Sequence, residues 1–76
     1  TMQVDVYTLP NCQGCRATFR RLDRSGVRYT IHHLADGAVL PDGVEAIQAP
    51  VVVHEGGYHS GYSPDKLDAL ATRVLA

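Results

Sequence analysis

The sequence predicts an α/β fold in which a βαβ unit is followed by a ββα unit, and three observations carry that prediction. Met2, Val4 and Val6 alternate with Gln3, Asp5 and Tyr7, which is the period of a half-buried strand. Cys15, Phe19 and Leu22 recur at helical spacing, with Arg16, Arg20, Asp23 and Arg24 on the other face. Val51-Val52-Val53 and Tyr58-His59-Ser60 flank Glu55-Gly56-Gly57, which reads as an antiparallel hairpin closed by a glycine turn. The expectation is a four-stranded mixed sheet with helices packed on it, the 76 residues forming one domain.

Each element follows from its residues. Residues 2–8 read as the first strand, because Val, Tyr and Thr fit a pleated surface. Leu9-Pro10-Asn11 is a turn, with Asn11 as the expected N-cap of a helix that begins near Cys12 and ends at Gly26. Residues 27–34, Val-Arg-Tyr-Thr-Ile-His-His-Leu, give a second strand, and strand, helix, strand implies a parallel right-handed crossover. The stretch 35–43 holds two glycines and Pro41, so it reads as a loop, with at most one helical turn over 44–48. Ser63-Pro64-Asp65 opens the last helix with a capping serine, a proline at the first helical position and an acid at the positive dipole end. Leu67, Leu70, Ala71, Val74 and Leu75 then form its apolar face.

Composition narrows the function. Apolar residues make up 45% and charged residues 20%, the balance of a globular chain rather than a disordered one. Seven Lys plus Arg against eight Asp plus Glu give a net charge of -1, which argues against nucleic acid. There is no apolar run of membrane-spanning length and no signal-peptide pattern, so the expectation is a soluble, cytoplasmic protein. Thr1 stands ahead of Met2, which reads as the natural start.

The two cysteines carry the chemistry. Cys12 and Cys15 are spaced C-x-x-C, and closing so short a loop stabilises by only about 2 kcal/mol, against about 3 kcal/mol for a fifteen-residue loop. Cytosolic disulfides are usually catalytic or redox-sensing, so thiol redox chemistry is the leading reading. A helix N-terminus supplies partial positive charge to Cys12 and lowers its thiol from the free value of about 8.5. Cys15 lies on the apolar stripe and is expected to be the buried partner that resolves a mixed disulfide formed by Cys12. The competing reading is zinc, since C-x-x-C is half of a tetrahedral site and His32, His33, His54 and His59 are available. However, 38 residues separate Cys15 from His54, and no second C-x-x-C is present.

At these residues the chain resembles the thioredoxin superfamily in its short glutaredoxin form, and most closely the NrdH-redoxins. The resemblance rests on Val6-Tyr7-Thr8 before the motif, on Cys12 to Cys15 followed by Ala17-Thr18, on Ala49-Pro50-Val51-Val52, and on Ser60-Gly61-Tyr62-Ser63-Pro64-Asp65. It spans essentially the whole chain. It implies a monomeric electron carrier with no bound cofactor, working through its own Cys12–Cys15 disulfide. Electrons would come from NADPH through thioredoxin reductase and pass to class Ib ribonucleotide reductase, in deoxyribonucleotide synthesis. It also implies a cis bond before Pro50, although only about 5–6% of X-Pro bonds in folded proteins are cis. The backbone around Ala49 and Pro50 would pair with a bound substrate chain, as an added strand does.

Ser60-Gly61-Tyr62 stands where ordinary glutaredoxins have a G-G-x-D-like segment for glutathione, and their lysine before the first cysteine is missing. Gly61 and Tyr62 are then expected to form part of a platform for protein partners. A glutathione-dependent glutaredoxin remains the alternative, as does a metal-binding or non-catalytic interaction module, including a bridged iron-sulfur dimer. The chain departs from the family at Gly14, where a larger or polar residue is usual, and at Phe19, near the position of a usual lysine. The link between strands two and three is also short, so the family's second helix is expected to be reduced or absent.

Other residues have simpler readings. Arg16, Arg20, Arg21 and Arg24 form a basic stripe that could steer an acidic partner, Arg16 foremost, or simply be solvated. His54 and His59 read as surface histidines of the hairpin, and Tyr7 and Tyr29 as sheet residues.

Overall fold

A computed structural model describes residues 3–45 and 48–75. Strand β1 (Asp5–Thr8) leads into helix α1 (Gln13–Ser25) and strand β2 (Thr30–His33), then a single 3-10 turn at Leu34–Asp36. Strands β3 (Val51–His54) and β4 (Gly57–Ser60) form the hairpin, and α2 (Pro64–Leu75) closes the fold. The four-stranded sheet has the order β2-β1-β3-β4, with β1 parallel to β2 and antiparallel to β3. This is the mixed sheet of a thioredoxin/glutaredoxin-like fold.

Strand alternation decides the core. Val4, Val6 and Val52 point to one face, where Leu22 and Val27 meet Leu67, Leu70 and Ala71 of α2. Phe19, Tyr29 and Val74 pack against the edge of this cluster. On the other face Tyr7 lies opposite Val51 and stacks on His32 at 4.5 Å, while His32 Nε2 meets Asp5 Oδ1 at 2.9 Å. Tyr7 is therefore a sheet residue, as expected. Arg21 of α1 forms a bidentate pair with Asp68 of α2 at 2.9 and 2.7 Å, so this member of the basic stripe ties the two helices together.

The elements occur where periodicity placed them, but their ends differ. β1 begins at Asp5; Met2 lies outside the described residues, and Val4 stays buried while its carbonyl accepts the Thr30 N–H at 2.9 Å. β2 is shorter than 27–34 because the preceding helix end uses its first residues. Gly26, with φ +80°, donates to the Asp23 carbonyl and Val27 donates to the Leu22 carbonyl, each at 3.1 Å, the Schellman arrangement. Leu34 leaves the strand for the 3-10 turn.

Between β2 and β3 the described residues contain only that 3-10 turn, so the second helix is reduced as expected. The helical turn over 44–48 is not formed at its described residues. Val44 closes a tight turn by donating to the Pro41 carbonyl at 3.1 Å, and Glu45 and Gln48 are not helical, while 46 and 47 lie outside the described residues. No helix among the described residues is long and apolar enough to cross a membrane.

Candidate active site

The C-x-x-C segment sits at the N-terminus of α1, beyond the carboxyl end of β1. Cys12, rather than Asn11, is the N-cap. Its backbone is extended, with φ -99° and ψ 107°, and its Sγ accepts the Cys15 N–H at 3.0 Å. Asn11 instead takes a left-handed conformation, φ +59°, at the turn that presents Cys12. Asn adopts that region more readily than most residues, so the same side chain serves the turn instead of the cap. The carbonyl of Cys12 accepts the first helical bond from Arg16 N–H at 3.3 Å.

Cys12 and Cys15 are joined as a disulfide, their Cα atoms 5.2 Å apart. The pair is asymmetric. Cys12 is partly exposed, whereas Cys15, on the buried side of α1, is only 1% exposed. The first turn of α1 contains no acidic residue, so nothing there offsets its positive end.

Two other segments close on the motif. The Ala49–Pro50 bond is cis and Pro50 is buried, with its carbonyl accepting the Gly61 N–H at 2.7 Å. Gly61 has φ +79°, a conformation that favours glycine. Gly14 packs closely on both segments: a Cβ there would stand a tight 3.3 Å from Pro50 Cδ and an ordinary 3.5 Å from Tyr62 Cβ. Tyr62, 42% exposed, thus flanks the first turn of α1 beside Pro50. Cys12, Cys15, Pro50, Gly61 and Tyr62 are brought to one end of the sheet, with Ala49 preceding the cis bond.

On the other side of the motif an open groove of about 470 Å³ runs past Cys12, Cys15, Arg16 and Phe19 to His33 and Asp36. Arg16 is exposed along it, while Arg20 and Arg24 lie with Tyr62 around a shallower hollow. The sequence offers His33 only as a candidate zinc ligand, and Asp36 not at all. The signal was present in the βαβ inference, because parallel strands end together, Thr8 opposite His33, and the residues just past β2 must border the β1–α1 loop. Thr18, one of the residues that follow the motif, is fully buried one turn past Cys15, with no partner for its hydroxyl among the described residues.

His33 shares the groove with the cysteines, but the other three histidines do not join it as a zinc site would require. His32 is engaged with Asp5 and Tyr7, and His54 and His59 lie at the hairpin. Among the described residues no three or more His, Cys, Asp or Glu form a group able to hold a metal. His59 is buried, 7% exposed, which corrects its reading as a surface residue. The hairpin turn is Glu55-Gly56 alone, with His54 opposite Gly57, and that register puts His59 opposite Val52 on the helix-bearing face.

No family model matches the sequence, and none of the curated proteins does. Solved structures do. The chain is similar to the glutaredoxin-like protein NrdH-redoxin from Escherichia coli at 27% identity, over 90% of this chain and 93% of that one, with a TM-score of 0.73. A thioredoxin-like protein also matches at 27% identity, over 88% and 97% of the two chains, with a TM-score of 0.79. The glutaredoxin from Archaeoglobus fulgidus matches at 25% identity, over 88% and 83%, with a TM-score of 0.68.

Proposed function

We propose that this disulfide oxidoreductase of the glutaredoxin-like thioredoxin fold, which works through its own Cys12–Cys15 pair, is an NrdH-type electron carrier. It takes electrons from an NADPH-dependent thioredoxin reductase in the cytoplasm. It delivers them to a protein disulfide, that of class Ib ribonucleotide reductase, and acts as a monomer. The observation that carries the reading is the asymmetry of the two sulfurs: a partly exposed Cys12 capping α1 and a buried Cys15 one turn behind it. The described thioredoxin-like activity profile of the Escherichia coli NrdH-redoxin supports the choice of reductase. So does Ser60-Gly61-Tyr62, which by the resemblance stands where ordinary glutaredoxins have a G-G-x-D-like segment for glutathione.

The chemistry follows from that asymmetry. In the reduced protein the Cys12 thiolate, with the Cys15 N–H as donor and the α1 N-terminus behind it, attacks one sulfur of the target disulfide. A mixed disulfide forms and the first target sulfur leaves as a thiolate. Cys15 then loses its proton and attacks Cys12 Sγ, and the second target sulfur leaves. Two electrons have passed to the target, and the Cys12–Cys15 disulfide remains for the reductase to reduce. The cis Ala49–Pro50 segment pairs with the target backbone, Gly61 permits close approach, Tyr62 gives apolar contact, and Arg16 steers acidic partners.

The test is NADPH oxidation by thioredoxin reductase with this protein and a disulfide acceptor, run beside a second arm of glutathione, glutathione reductase and NADPH. Turnover in the first arm alone is the expected result. Turnover in the second arm alone would assign a glutathione-dependent glutaredoxin. Turnover in neither would overturn the carrier reading.

A further inference from the structure

A second site lies at the opposite end of the hairpin from the cysteines. β3 runs from Pro50 toward His54, and β4 returns from Gly57 toward Gly61, so His54 and Tyr58 are far along the strands from the motif. His54, Tyr58 and His59 there border a pocket of about 210 Å³ whose other wall is Lys66, Leu70 and Arg73 of α2, with Ala69 between them. The spacing of the four α2 residues, i, i+3, i+4 and i+7, puts them on one side of the helix. The register puts His59 opposite Val52, facing α2.

The lining is cationic. Among the described residues no carboxylate borders the pocket and neither Lys66 nor Arg73 is in an ion pair, although the chain as a whole is slightly acidic. The Arg73 guanidinium lies against the bare hairpin turn: a Cβ on Gly56 would come within 2.9 Å of its Cζ. The imidazoles complete the set. His54 Nδ1 accepts the Gly56 N–H at 3.2 Å, so its proton is on Nε2 in the neutral ring. His59 is 7% exposed and its Nε2 is shut from solvent with no hydrogen-bond partner among the described residues. Burial, helped by Arg73 at His54 and by Lys66 and His54 at His59, holds both rings below the ordinary histidine range. His54 is therefore a neutral Nε2–H donor near neutral pH, and His59 adds an uncharged buried wall beside it.

We propose that this pocket binds a small phosphoryl oxyanion, with Lys66 and Arg73 matching its charge and His54 Nε2 donating to its oxygens. A phosphomonoester carries about -1.5 to -2 charges at neutral pH, the complement of one ammonium and one guanidinium. Leu70 and Ala69 give an apolar floor on which the organic part of a phosphorylated metabolite could rest.

The experiment is an amide NMR titration of the intact, oxidised protein near pH 7.5 with inorganic phosphate, with glycerol phosphate, and with sodium chloride at matched ionic strength. The expected result is a saturable change confined to residues 54–59 and 66–73, absent with chloride. Lys66→Gln and Arg73→Gln, both at exposed helix positions, should each weaken it about tenfold while leaving the rest of the spectrum in place. Tighter binding of glycerol phosphate would identify the occupant as a phosphorylated metabolite, and equal binding would identify free phosphate; both sustain the site. No saturable change with either phosphate, or the same change with chloride, or full binding in both variants would overturn it.

Discussion

The two helices begin in opposite ways. α2 opens on Ser63, whose carbonyl accepts the Leu67 N–H at 3.0 Å, then Pro64 and Asp65, which places an acid against the positive end of the helix. α1 opens on Cys12, whose sulfur takes the Cys15 N–H, and its first turn holds no acid. The first is a helix start made for stability. The second leaves its positive end unneutralised, so that a sulfur anion is the charge it favours. The same feature of backbone structure thus supports packing at one end of the chain and reactivity at the other.

The largest effect that this contrast predicts is at Cys12. Cys12→Ser should abolish thiol-disulfide exchange, reducing NADPH-coupled turnover to the rate without the protein. Cys15→Ser should keep the attack and lose the resolution, so a mixed disulfide with the target accumulates on Cys12 and is seen on a non-reducing gel or by mass. Continued multiple turnover in the serine variant at 15 would break the assignment of roles. Neither substitution should alter the start of α2.

How much of this was legible in the sequence depended on which physical rule set each feature. Strand and helix periods placed all the main elements, because buried Val6, Val52, Leu22 and Leu67 must share one core. Gly26 marked the end of α1, since a left-handed cap favours glycine. The cap at the other end was not legible: Asn11 is the usual capping type, yet the left-handed turn used it and left the cap to a sulfur. His59 was misplaced for a reason of register. A three-residue turn at 55–57 would pair His59 with Val53, on the face away from the helices, whereas the actual two-residue turn pairs it with Val52. One residue of slip exchanges the faces of a strand, and so hid the pocket beneath α2.

The contrast between helix starts is sharpened by exchanging their charges. Gln13 is exposed in the first turn of α1, and Gln13→Glu places there the acid that α2 already has. A charge near a helix end is worth about 0.3–1 kcal/mol. The thiol titration of the reduced protein, followed by thiolate absorbance, should therefore rise at its midpoint by about 0.2–0.7 in pH, while the helix itself gains stability. The converse change, Asp65→Asn, should lower stability to denaturant by about 0.3–1 kcal/mol and leave the cysteine titration unmoved. A shift in thiol titration from the substitution at 65 would mean that the two starts are not independent.

The smallest expected effect lies where the helices are tied. Arg21 hydrogen-bonds Asp68 and thereby holds its carboxyl below the usual carboxylate range, while the guanidinium of Arg21 is held correspondingly higher. A carboxyl depressed in the folded state adds stability above its unfolded titration, and that stability is lost as pH falls through the folded value. The pair is open to solvent, with side chains 36% and 53% exposed, so screening keeps its contribution modest. Asp68→Asn should flatten part of the loss of stability below about pH 4, measured as the denaturant midpoint against pH, and salt should diminish the difference. Exchange through Cys12 should be unaffected at neutral pH, because the tie joins the bodies of the helices and not their starts. A change in exchange rate would show that the mutual placement of α1 and α2 also sets the position of Tyr62 beside Gly14, and would make the structural helix part of the reactive end.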